Sequence, residues 1–182
     1  MIFIIVGPSG AGKTTFMELA LRYTHELKII DIDVLSLAGR DYDKTLGRKE
    51  IDLSTYEKRI SEKYYDHIYE YGGSKYGLRI RDIDADIDYL LDYPGEYPEC
   101  LEFSSYKWKG ILILPPTQEE LVNRLKNCHR EYRIKSSIAE YVECLDDIKK
   151  HKFNNWHIII NTTTKVFEKC IIEDQIFTTH SE

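Results

Sequence analysis

The chain has 182 residues, 42% apolar and 31% charged, a balance that suits one globular domain with a buried core and argues against disorder over the whole chain. A formal charge of -6 argues against a general nucleic-acid-binding surface, because neutralising phosphate backbones calls for clustered Lys and Arg. Cys100, Cys128, Cys144 and Cys170 form no C-x-x-C pair, which removes the usual signature of a zinc knuckle or a redox dithiol.

In chain order, residues 2–6 form a continuous apolar, β-branched run, the pattern of a strand buried on both faces of a parallel sheet. The run is too short for a signal peptide or a spanning helix, so the expected compartment is the cytoplasm, with no membrane partner. Helical spacing takes over from Lys13 to Leu21. A second apolar burst, 27–34, carries Asp31 and Asp33 and reads as a second strand. Residues 36–87 break the rhythm, being rich in Tyr, Asp and Arg, and are expected to form an insertion over the sheet edge. A helix is expected there over 54–65, opened by a capping box from Ser54 to Glu57. Within the insertion, 80–88 alternates Ile or Ala with acidic residues and reads as a solvated strand or turn.

Residues 89–92, 111–114 and 157–161 supply three more strands, five in all. Between Pro116 and Trp156 the pattern is helical, and Thr117 with Glu120 forms a second capping box. Strands alternating with helices imply an α/β fold of three layers around a parallel five-stranded sheet.

Between the first strand and the first helix lies Gly7-Pro8-Ser9-Gly10-Ala11-Gly12-Lys13-Thr14, a match to G-x-x-x-x-G-K-[ST] in the required strand-loop-helix context. Such a loop turns its backbone N–H groups toward a phosphate, with the positive end of the following helix behind them. Ser9, Gly10, Ala11 and Gly12 would then cradle the β-phosphate of ATP, and Lys13 would bridge the β- and γ-phosphates. Thr14 would ligate Mg2+, and Thr15 would pack or contact the α-phosphate. Asp92 ends an apolar strand, a position suited to a magnesium-bound water or to orienting an acceptor phosphate. Arg130 and Arg133 stand three apart in a polar, loop-forming stretch, from which both could swing over a transferred phosphoryl group. Arg40 follows the second strand near the sheet edge where acceptors bind in open α/β folds.

The filling of this loop resembles that of guanylate kinases, and later segments resemble the same family in the same order. Ile68-Tyr69-Glu70-Tyr71 followed by Lys75-Tyr76-Gly77 is similar to the segment in which a Glu meets the guanine edge and a Tyr-Gly pair meets the monophosphate. Residues 89–92 resemble its acidic strand end. Residues 111–125, ILILPPTQEELVNRL, are similar to its strand, double proline and lid-leading helix, and Asn161 resembles its adenine-side Asn. The resemblance covers most of the chain and implies one P-loop kinase domain over 1–182, with an acceptor-binding insertion at 36–87 and a lid at 126–137. It also implies ATP and Mg2+ as cofactors, a nucleoside monophosphate as acceptor, and Arg40, Glu70, Tyr76 and Asp92 as acceptor-binding residues. The protein is expected to be a monomer or homodimer.

Three positions depart from the family. Leu78 stands where it has a small hydroxyl residue, Tyr141 stands near its later lid Arg, and its paired phosphate-gripping arginines are not recoverable, which leaves Arg40 and then Arg48 as candidates in the same stretch. The resemblance thus implies GMP, dGMP or another deoxynucleoside monophosphate as acceptor. A phosphorylated sugar or modified nucleotide is the alternative substrate, and a non-catalytic binding module the alternative function.

Overall fold

Strand β1 (Ile2–Val6) is buried along its whole length, and the two faces of its pleat feed two different cores. Ile2, Ile4 and Val6 point to one side, Phe3 and Ile5 to the other. That is what a run of β-branched and aromatic residues achieves at the centre of a sheet covered on both faces. The computed structural model describes residues 1–36, 47–71, 73–93 and 106–177.

Around β1 the strands β2 (Lys28–Ile29), β7 (Tyr89–Asp92), β8 (Trp108–Leu114) and β9 (His157–Ile160) lie in the order β2-β7-β1-β8-β9. All pairs are parallel. Under one face lie α1 (Lys13–Tyr23) and α5 (Thr164–Glu168), through Phe16, Met17 and Ala20 of the first and Phe167 of the second. A π-type turn, Lys169–Glu173, continues α5 and adds Ile171 to that core. Over the other face lie α3 (Gln118–Asn127), through Leu121 and Leu125, and α4 (Ile134–Lys149), through Tyr141. The expected α/β layering around a parallel five-stranded sheet is present.

A second sheet shares the α3 and α4 side. Its strands are β3 (Ile32–Ser36), β4 (Arg48–Glu50), β5 (His67–Tyr71) and β6 (Ser74–Leu78), in the order β4-β3-β6-β5. The apolar burst at 27–34 is therefore not one strand. The Lys28 amide donates to Asp88 O just before β7 and the Ile30 amide to Leu90 O within it, whereas the Ile32 amide donates to Gly47 O, so the chain changes sheets at Asp31. The reason is visible in the side chains: from Ile30 onward Ile30, Ile32 and Val34 enter the core, while Asp31 and Asp33 alternate with them. That is the period of a strand whose two faces differ, unlike the doubly buried β1.

Helix α2 (Leu53–Ser61) covers the outer side of this sheet through Tyr56, which packs with Leu35 and Tyr65. It starts one residue before the expected 54–65 and ends four earlier. Its cap is Asp52, whose carboxylate accepts from the Thr55 amide at 2.8 Å, in place of the Ser54 to Glu57 box. Thr117 caps α3 as expected, accepting from the Glu120 amide at 3.0 Å, but Glu120 does not reach back. Its carboxylate turns forward to Arg124 Nε at 2.8 Å, a charged partner one helical turn on. Residues 80–88 form turns rather than a strand, and Ile80, Ile83 and Ile87 fasten them to the core. Among the described residues no helix is long and apolar enough to cross a membrane.

Candidate functional site

The loop between β1 and α1 is fixed by close approach. Gly7 has φ +142°, and a Cβ there would collide with the backbone carbonyl of Ile113. Gly12 has φ +103°, and a Cβ there would strike Nδ2 of Asn161. Asn161 Nδ2 in turn donates to Ala11 O at 2.7 Å, and Arg124 Nη2 donates to Asn161 O at 2.7 Å. The loop thus leans on the end of β9 and on α3. Helix α1 begins at Gly12 with no side-chain cap and no acidic residue in its first turn. Its first N–H groups and its positive end are left for an anion.

Lys13 is half-buried, and its Nζ donates to Gly7 O at 2.7 Å and Pro8 O at 3.3 Å. Burial lowers its pKa, and the charge of Asp92 works in the opposite direction. Asp92 is only 2% exposed and forms a buried ion pair with Arg48 of β4. Its second oxygen, Oδ1, has no hydrogen-bond partner among the described residues. A buried carboxylate oxygen left without a partner is costly, and its natural complement is a ligand.

These groups border a cleft of 620 Å³ between the P-loop corner and the second sheet. Ser9, Gly10, Gly12, Lys13, Thr14, Thr15, Tyr76, Asp92, Arg130, Arg133 and Asn161, all singled out in the sequence, line it. Ala11 does not face the cleft: its side chain is fully buried and its carbonyl holds Asn161. Arg133 Nη1 donates to Ser9 Oγ at 3.2 Å, so it sits over the loop. The stretch carrying Arg130 and Arg133 is more ordered than the expected loop. A 3-10 turn at Glu131–Arg133 runs directly into α4.

Glu70 is not in the cleft. On β5 the residues alternate, with His67, Tyr69 and Tyr71 turned inward and Ile68 and Glu70 outward. Glu70 is 70% exposed and pairs with Lys75 at 3.5 Å. Leu78 is fully buried in the core. Arg40 lies outside the described residues, as do Cys100 and residues 94–105. Asp31 is exposed beside Lys49, and Asp33 is held by Arg59 and by Tyr65 OH at 2.7 Å, so both have local partners. No cluster of three or more His, Cys, Asp or Glu side chains suited to a metal occurs among the described residues.

Several residues of the cleft were not read from the sequence in these roles. Arg124 of α3 braces the P-loop through Asn161 O and Ala11 O. Tyr69 and Tyr71 line up behind and beside Tyr76, the rings of Tyr69 and Tyr76 stacking at 4.9 Å with an interplanar angle of 3°. The signal available for the tyrosines was the period of two along 67–71.

The fold and cleft can be compared with known proteins. No family model matches the chain. The guanylate kinase of Buchnera aphidicola subsp. Schizaphis graminum is 25% identical over 180 residues, an alignment covering 94% of this chain and 83% of the relative. That of Mycoplasma genitalium is 27% identical over 182 residues, covering 94% of this chain and 72% of the relative. The crystal structure of guanylate kinase from Anaplasma phagocytophilum superposes with a TM-score of 0.63 at 15% identity, covering 100% of this chain and 87% of that one.

Proposed function

We propose that this chain, a divergent relative of the guanylate kinases, transfers the γ-phosphate of ATP to a nucleoside monophosphate of the GMP type, giving the diphosphate. The observation that carries the proposal is the cleft itself. An intact phosphate loop with a half-buried Lys13 stands on one wall, and an Arg48–Asp92 pair with Tyr76 stands on the other.

The loop fits a triphosphate: Gly12 leaves no room for a side chain, and the uncapped start of α1 offers N–H donors. Lys13 would exchange its two carbonyl partners for phosphate oxygens, whose charge favours its protonated form against the effect of burial. Thr14 would hold the magnesium ion through its hydroxyl, with the unpartnered Oδ1 of Asp92 positioned to accept from a bound water. The metal would supply charge neutralisation between the two outer phosphates of ATP. Arg133, over Ser9, and Arg130 beside it would stabilise charge spread over the transferred group, and Arg48 and Tyr76 would anchor the acceptor phosphate. Transfer between two oxyanions needs alignment and neutralisation, not a covalent protein intermediate.

One observation bears on the acceptor base. Glu70 and Leu78, at the positions matched to guanine readers, are both withdrawn from the cleft, so base selection falls to other side chains. The test is a panel of ribo- and deoxynucleoside monophosphates incubated with ATP and magnesium, products separated by chromatography, beside a Lys13→Ala control. GDP or dGDP, absent in the control, is expected. No diphosphate from any monophosphate, with ATP binding intact, would sink the proposal.

A further inference from the structure

Strand β5 carries Tyr71 at its inner edge, on the face turned toward the cleft. Its hydroxyl donates a hydrogen bond to Oε1 of Glu140, a residue in the middle of α4. The two elements belong to opposite walls. Helix α4 packs on α3 and begins immediately after Arg133, whose guanidinium reaches Ser9 of the phosphate loop. The second sheet meets the loop's surroundings through Arg48 and Asp92. A phenol-carboxylate bond spanning this gap is charge-assisted and therefore stronger than a neutral one.

The pair also lies within the electrostatic field of the site. Glu140 acts on Lys13 in the direction that keeps it protonated, and Arg133 acts on Tyr71. Burial and Glu140 together raise the Tyr71 pKa, so the hydroxyl remains a donor at neutral pH. Arg133 and Glu140 are seven residues apart, two helical turns, and so lie on one face of the helix segment above the cleft. A displacement of Glu140 along or away from Tyr71 is carried by a rigid rod to the start of the helix, where Arg133 sits.

We propose that Tyr71 and Glu140 form a latch between the second sheet and α4, and that both are positioning residues that set Arg133 over the phosphate loop. The proposal rests on the monophosphate-kinase reading for its catalytic consequence, but the latch itself is structural and can be tested in the free protein.

The experiment compares Tyr71→Phe, Glu140→Gln and Glu140→Leu in the full chain by hydrogen exchange of the ligand-free protein and by steady-state kinetics. Loss of the latch in Tyr71→Phe and Glu140→Leu should speed exchange of the amides of 130–137 by about fivefold, with α1 unaffected, whereas Glu140→Gln, which keeps an acceptor, changes it less. In turnover, Tyr71→Phe should lower kcat by about tenfold with KM for ATP within about twofold, and should add no further loss in an Arg133→Ala background. Unchanged exchange at 130–137 in both latch-breaking variants would overturn the proposal. So would an equal rise in exchange throughout the chain, or a Tyr71→Phe loss that multiplies fully with that of Arg133→Ala. If the wild-type protein turns over no monophosphate, the kinase reading fails while the exchange result still decides the latch.

Discussion

The two walls of the cleft are built in opposite ways. The phosphate-loop wall is one unbroken stretch of chain from β1 into α1, braced from behind by Asn161 and Arg124. The facing wall is assembled from β4, β5 and β6 of the second sheet and the end of β7 of the first, so that Arg48, Tyr71 and Tyr76 meet through sheet register and Asp92 joins them through its ion pair with Arg48. In the proposed reaction the first wall would take a polyphosphate through backbone groups. The second would take the acceptor through side chains, and there Glu70 lies on the outer face and Leu78 in the core. Chemistry common to a superfamily is stored locally, and acceptor choice is stored in tertiary placement.

Substitutions can break this comparison, beginning with the largest effect. Lys13→Ala should reduce kcat by about 10³-fold while leaving the melting temperature close to wild type or higher, since removing a half-buried cation relieves its partial desolvation cost. A loss under tenfold would mean the first wall does not do the chemistry. Asp92→Asn should cost about 3 kcal/mol in a denaturant titration, because Arg48 loses its countercharge in a buried setting. Equal stability would show that the second wall does not depend on the pair. Arg133→Ala should lower kcat by about 10²-fold with little change in stability, and an unchanged kcat would remove Arg133 from the reaction.

Smaller effects sharpen the same contrast. His67 and His157 have pKa values lowered by burial from the ordinary 6.5. In each case the unfolded chain takes up a proton that the folded chain resists, so stability present above that value falls as the pH drops through it toward the depressed folded value. Melting temperatures between about pH 7 and pH 5 should fall, and His67→Gln should flatten the slope. A slope that is unaltered by His67→Gln would place the titration elsewhere. Smallest of all, Glu70→Gln should leave KM for the monophosphate within about twofold, because Glu70 sits on the outer face with Lys75. A tenfold rise would return it to base recognition.

The sequence disclosed the first wall almost completely and the second only in fragments. Gly12, Lys13 and Thr14 could be read because the motif needs no distant residue. The parallel sheet could be read because residues 2–6 and 111–114 are apolar on both faces. The strand at 27–34 was harder, because a continuous run and an alternating run join without a break at Ile30, and only the pairing of Ile32 with Gly47 reveals the switch. Glu70 was misplaced because resemblance to a motif gives spacing along the chain but not which face of a strand a residue takes. Its neighbours Tyr69 and Tyr71 occupy the inner face, and one step of register decides between them. Arg48 was named in the sequence as an acceptor candidate. Its partner Asp92 lies 44 residues away, a distance that only the fold spans.

The central claim is that one cleft holds both a triphosphate donor and a monophosphate acceptor, each on its own wall. It is tested most directly by calorimetric binding of an adenosine–guanosine pentaphosphate, which joins the two nucleotides through a shared phosphate chain, against ATP alone. The account predicts that the joined ligand binds at least about 100-fold more tightly, since the second nucleotide engages at high effective concentration, and that Tyr76→Phe with Arg48→Met removes most of that gain without weakening ATP. Binding of the pentaphosphate no tighter than ATP would contradict it, leaving a cleft that holds a single nucleotide.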